Sequence, residues 1–95
     1  MPNISVIIRY TKKADKFFDS HEDVRDSYEK TIRDSINGTL RPDVKKIAGK
    51  HGIYYRMRIG DYRVIYTIIA GSIVVIDTLL AGSRGDIYKK MSGLN

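Results

Sequence analysis

Residues 54–66 read Tyr54-Tyr55-Arg56-Met57-Arg58-Ile59-Gly60-Asp61-Tyr62-Arg63-Val64-Ile65-Tyr66, two runs of strand-like alternation joined by a Gly-Asp pair. Side chains alternate along a strand, so Tyr54, Arg56 and Arg58 share one face while Tyr55, Met57 and Ile59 share the other. Glycine at the first central position suits a two-residue type II′ turn, which sets Ile59 opposite Tyr62, Arg58 opposite Arg63 and Met57 opposite Val64. Like charges directly opposite each other destabilise a sheet. The Arg58–Arg63 pair therefore points to an anion as its purpose. On this register alone, Arg63→Ala is expected to leave the fold intact or to raise the melting temperature by relieving repulsion.

Working outward, strand periodicity continues over 62–69 and 73–80 across a tight turn at Ala70-Gly71-Ser72, which makes an antiparallel three-stranded meander. Tyr62, Val64, Tyr66 and Ile68 fall on the face away from Arg63. Alternation through a two-residue turn places Asp77 on that same face near Tyr66, as a tyrosine acceptor or at the sheet margin. Upstream, Ile4, Val6 and Ile8 predict a first strand over 3–10. Thr11 is a plausible N-cap for a short helix carrying Ala14, Phe17 and Phe18. Asp19 or Ser20 restarts the chain for a second helix with Val24, Tyr28, Ile32 and Ile36 every four residues, closed by Gly38 with Pro42 soon after. Downstream, residues 81–90 read as a loop leading into one helical turn. The fold class is α+β: an N-terminal strand, a helical hairpin, the meander packed on the helices, and a short C-terminal helical turn.

With 95 residues and 42% hydrophobic content the chain can bury one core, so residues 1–95 are read as a single domain. There is no cysteine, which removes disulfide scaffolds and thiolate-ligated metal. No apolar stretch reaches membrane length and no signal peptide precedes the first strand, so a cytoplasmic protein without membrane contact is expected. The net charge of +6 is uneven: residues 1–40 hold seven Lys/Arg and seven Asp/Glu, residues 41–95 ten against four. The second-half excess, including Arg41, Lys45, Lys46, Lys50, Arg56, Arg58 and Arg63, suits a phosphate backbone. Acidic protein partners fit the same charge.

His21 and His51 have no ligand-spaced carboxylates around them, and no metal site or cofactor is expected. A phosphate-cradling loop, a nucleophile elbow and a paired-carboxylate constellation are all missing from the sequence. What remains is arginine, lysine and tyrosine. Guanidiniums pair phosphate oxygens bidentately and tyrosine can stack on a base or exchange a proton, so the set favours handling a phosphodiester.

The order of elements, the Tyr-Tyr-Arg-Met-Arg-Ile-Gly-Asp-Tyr-Arg hairpin and the terminal Gly82-Ser83-Arg84-Gly85-Asp86-Ile87-Tyr88 resemble the RelE/ParE superfamily of bacterial and archaeal toxins over nearly the whole chain. The resemblance to RelE-type members implies a ribosome-dependent endoribonuclease that cuts mRNA in the A site without metal, by attack of a 2′-hydroxyl. By position it implies catalytic roles for five residues. Arg56 and Arg58 would hold the phosphate backbone, and Arg63 would contact the scissile phosphate or protonate the leaving group. Arg84 matches the arginine after the last strand. Tyr88 would stack on mRNA or help deprotonate the 2′-hydroxyl. Many relatives have His-Arg where this chain has Ser83-Arg84, so a histidine base is unavailable. Arg41, Lys45, Lys46, Lys50, Lys89 and Lys90 are candidates for RNA or ribosome contact. The resemblance also implies a cognate antitoxin, with an acidic helical segment over the basic face and a heterotetramer as one arrangement. Two alternatives stand beside this: a ParE-like inhibitor of DNA gyrase without catalytic activity, and a silent relative acting only in a repressor complex.

Overall fold

The computed structural model describes residues 5–36, 44–49 and 52–91. Strand β1 (Val6–Tyr10) leads into α1 (Lys12–Asp19) and α2 (Glu22–Ile36), followed by β2 (Val44–Gly49), β3 (Gly52–Ile59), β4 (Tyr62–Ile69), β5 (Val74–Ser83) and α3 (Asp86–Met91). Thr11 caps α1 as its side chain predicts: Oγ1 accepts from the Ala14 amide at 3.2 Å and donates to the Leu79 carbonyl at 2.6 Å, so one hydroxyl starts the helix and ties it to β5. The second helix begins at Glu22, after the His21 carbonyl has accepted from Val24 and Arg25 at 3.0 Å. Arg25 clamps the helical hairpin, reaching Asp15 at 3.0 Å and Asp19 at 3.3 Å. Gly38 and Pro42 lie outside the described residues.

The strands form one sheet in the order β1-β5-β4-β3-β2, with β1 parallel to β5 and the remaining pairs antiparallel. The meander thus has a fourth strand, β2, that sequence periodicity did not reveal. Its sequence Val-Lys-Lys-Ile-Ala-Gly does not alternate, and it lies at the sheet edge, where lysines discourage further pairing. The β3–β4 register is the expected one, with Ile59 opposite Tyr62, Arg58 opposite Arg63 and Met57 opposite Val64. Gly60 has φ +57°, and no non-glycine described residue has positive φ, as a type II′ connection requires.

Helices α1 and α2 cover one face. Phe18, Tyr28, Met57, Val64 and Ile76 are fully buried between the layers, with Tyr66, Ile32 and Val24 beside them. Ile68, expected in this layer, is on the correct face but 38% exposed at the sheet's end.

Asp77 is not where alternation placed it. The β4–β5 connection is one residue longer than assumed, giving Ile69 opposite Val75 and Tyr66 opposite Thr78, and a one-residue slip moves every side chain to the other face. Thr78 takes the buried position and shares a 2.7 Å hydrogen bond with the Tyr28 hydroxyl. Asp77 faces the opposite side, where Arg9 donates to it through Nε at 2.6 Å and Nη2 at 2.8 Å. A register shift at Ile65/Tyr66 then returns Ala81 and Ser83 to the helix-covered face, opposite Val64 and Tyr62.

Its hydrogen bond to Arg9 holds the Asp77 carboxyl below its ordinary value, against the opposing effect of burial. A depressed folded-state value adds stability above the unfolded carboxylate range, and that contribution disappears as pH falls through the lowered value. Asp77→Asn is therefore expected to melt slightly below the parent at neutral pH, with the two curves converging under acid, as thermal scans down the pH range would register. Both side chains are partly exposed, so the difference stays small.

Candidate nucleic-acid interface

The sheet's other face carries a second, smaller core. Tyr54, Ile65 and Leu80 meet Ile87 of α3, which is fully buried, with Ile47 and Leu79 alongside. A six-residue helix is thereby laid over the sheet. Ser83 starts it, its Oγ accepting from the Asp86 amide at 3.4 Å. A hydroxyl thus begins α3.

Around this core the five resemblance-assigned residues lie together. Arg58 and Arg63 are cross-strand partners, and Arg63 is flanked on its other side by Gly82 of β5. The Arg84 amide donates to the Asp61 carbonyl at 3.0 Å, which fixes the segment after β5 against the hairpin turn. Arg56 Nη1 donates to the Tyr88 hydroxyl at 3.2 Å. Arg58, Arg84 and Tyr88 are exposed, and Arg56 is half-buried.

Arg63 differs from the expectation. It is only 7% exposed, and its Nη1 donates to the carbonyls of Gly60 and Tyr62, both at 3.0 Å. The guanidinium thus braces the turn that carries it, so replacing it removes donors from two carbonyls. This geometry opposes the rise in melting temperature expected for Arg63→Ala, because two carbonyls would lose their donor. Nε of Arg63 and Nε of Arg56 are buried without a hydrogen-bond partner among the described residues, as is Nε of Arg25 away from this face.

The lysines divide. Lys45 of β2 lies opposite Arg56 and extends the basic face, whereas Lys46 lies opposite Tyr55 and belongs to the other side of the sheet. Lys89 is exposed on α3. Lys90 Nζ donates to the Ala81 carbonyl at 3.1 Å and sits 5.8 Å from the Phe17 ring centroid, turned away from Tyr88. Arg41 and Lys50 lie outside the described residues. Lys45 was among the candidates for RNA contact, but its place opposite Arg56 was not legible because β2 was missed. Nothing in the local pattern signals the burial of Arg63.

The tyrosines sort by environment. Burial raises the phenols of Tyr10 and Tyr28 above their ordinary value and pushes Tyr66 up to about 12, which removes them as proton acceptors near neutral pH. Tyr88 is 54% exposed and stands on the arginine face. His21 is a packing residue, its ring stacked 4.1 Å from Phe17 and its Nδ1 2.9 Å from the Phe17 carbonyl. His51 lies outside the described residues. Among the described residues no three His, Asp or Glu side chains gather as a metal site, and no helix is long and apolar enough to cross a membrane. An open concavity of about 240 Å³ lies between α2 and the hairpin turn, lined by Asp23, Ser27, Asp61 and Tyr62 among others and by no cationic side chain. It shares the hairpin turn with Arg63 and Arg84 but opens toward α2 and carries acidic side chains in place of basic ones.

Comparison with known proteins matches residues 8–85 to the family described as the ParE toxin of type II toxin-antitoxin system, parDE. A solved chain from the RelB-RelE antitoxin-toxin complex of Methanococcus jannaschii superposes with a TM-score of 0.59 at 26% identity, covering 86% of this chain and 96% of that one. Curated proteins gave no match.

Proposed function

We propose that this chain, which belongs to the ParE toxin family of type II toxin-antitoxin systems, acts as a toxin by cutting mRNA on the ribosome. The observation that carries the reading is the gathering of Arg56, Arg58, Arg63, Arg84 and Tyr88 around one end of one sheet face. In this reaction a ribose 2′-oxygen attacks the adjacent phosphorus. The O2′–P bond forms, the P–O5′ bond breaks, and the departing 5′-oxygen takes a proton. Charge accumulates on the phosphoryl oxygens in the transition state. Arg56, Arg58 and Arg84 supply preorganised positive charge to it, while Arg63 braces the turn and adds its field from below. Tyr88 stacks on a base or takes the 2′-hydroxyl proton. Arginine and tyrosine are weak proton-transfer groups, so a ribosome that holds the mRNA in line would supply the missing orientation.

A second reading is inhibition of DNA gyrase by protein contact, and the ParE description of the matched family is what favours it. Primer extension on an mRNA translated with the purified protein separates the two, run beside a gyrase supercoiling assay. The nuclease reading expects new 3′ ends within the translated frame, ending in a 2′,3′-cyclic phosphate or its 3′-phosphate hydrolysis product. Cleavage should persist in excess EDTA during a single round on preassembled ribosome complexes. A 3′-hydroxyl product, or gyrase inhibition without cleavage, overturns it.

The partner follows from the same face. Like the complex from Methanococcus jannaschii, this toxin would be held by an antitoxin, here one presenting an acidic, helical segment to Arg56, Arg58 and Arg84 and competing with the ribosome. A heterotetramer of two such pairs is compatible with that arrangement.

A further inference from the structure

Helix α3 has only six residues, too few to persist through helix formation alone, yet it carries Tyr88 across the arginine face. Burial of Ile87 seats it on the sheet, Ser83 holds its start through the Asp86 amide, and the Arg56–Tyr88 hydrogen bond reaches its exposed side. The last turn is tied down by Lys90, whose Nζ reaches the Ala81 carbonyl at 3.1 Å beside the Phe17 ring. That reach runs close past residue 82, which has no side chain. A Cβ there would lie 3.1 Å from Lys90 Nζ, 3.7 Å from Cε and 3.8 Å from Cδ, and these are its three nearest neighbours. The backbone does not itself ask for glycine, since the φ of Gly82 is not positive. What glycine provides at this position is a channel for the lysine.

We propose that Gly82 and Lys90 form a latch that holds α3 against β5 and thereby positions Tyr88 on Arg56. Lys90 is a positioning residue, and its charge serves the fold of α3 in place of RNA contact. The consequence for cleavage rests on the nuclease reading above; the latch itself does not.

The test uses the full chain as Lys90→Ala, Gly82→Ala and the double variant. Amide hydrogen exchange over residues 86–91 is followed in the free protein, and single-round cleavage on programmed ribosomes gives kcat and KM separately. Losing one hydrogen bond to a backbone carbonyl is expected to speed α3 exchange by roughly five- to tenfold in either single variant. A displaced Tyr88 should lower kcat by about ten- to a hundredfold with KM little changed. Because both substitutions break one contact, the double variant should be no worse than the more impaired single one. The proposal is overturned if Gly82→Ala leaves exchange at the parent rate, or if Lys90→Ala acts through a raised KM with a shallower salt dependence, the behaviour of a phosphate-contacting lysine. Should the parent protein fail to cleave mRNA, the nuclease reading falls, and the exchange rates still decide the latch.

Discussion

Arg58→Ala is expected to slow mRNA cleavage by about two to three orders of magnitude, the usual cost of deleting one preorganised group from a charged transition state. The side chain is exposed and stands opposite Arg63, so its removal relieves like-charge repulsion. Removal also gives up the interaction the side chain makes, so thermal unfolding should stay within ~0.5 kcal/mol of the parent. Arg63→Ala should lose cleavage too, for a different structural reason. Two carbonyls of the hairpin turn lose the guanidinium that bridges them, at about 1–2 kcal/mol, and the turn that fixes Arg84 through Asp61 is loosened. The comparison is informative because the pair is adjacent and the two variants lose the same charge. Single-round cleavage rates beside thermal scans of both variants check it. Equal destabilisation, or an Arg58→Ala protein that cleaves at the parent rate, contradicts the division of labour between an arginine that meets the substrate and one that holds the turn. Arg58→Lys should recover only part of the activity, since an ammonium keeps the charge without the fork that pairs two phosphate oxygens.

This division could be read only halfway from the sequence. The register that pairs Arg58 with Arg63 was legible because a Gly-Asp turn of two residues leaves one pairing of the flanking alternation. The helix stripes were legible for the same kind of reason: Val24, Tyr28 and Ile32 recur at one period and are all buried. Three features were not. Strand β2 has no alternation to detect, since an edge strand rich in lysine hides its half-buried character. The position of Asp77 turned on a single residue in the β4–β5 connection, and Ala70-Gly71-Ser72 does not by itself say which turn is made. The depth of Arg63 depends on its place between β3 and β5 and on the turn carbonyls its guanidinium folds back onto. That is tertiary information with no local trace, apart from a glycine at 82 whose meaning appears only once Lys90 is seen passing beside it.

Phe18→Ala is expected to remove growth inhibition as completely as the loss of an arginine, through stability alone. Phe18 is fully buried, stacked on Tyr28 at 5.7 Å, edge-on to Tyr10 at 5.5 Å, and covered by the Arg25 guanidinium at 5.6 Å. Truncating a phenylalanine in such a site costs about 3–5 kcal/mol, a large share of the ~5–15 kcal/mol that holds a small domain together. At about 4–8 °C per kcal/mol for a chain of this size, the melting temperature falls by more than ~12 °C. Cells would lose toxin by degradation of the unfolded fraction. The arginine face should be untouched, because Phe18 belongs to the helix-covered core while Arg56, Arg58 and Tyr88 stand across the sheet. Cleavage measured at low temperature and divided by the folded fraction from circular dichroism should therefore remain near that of the parent. If instead the rate per folded molecule fell as far as in Arg58→Ala, the two faces would be coupled and the assignment of chemistry to the α3 side alone would be wrong.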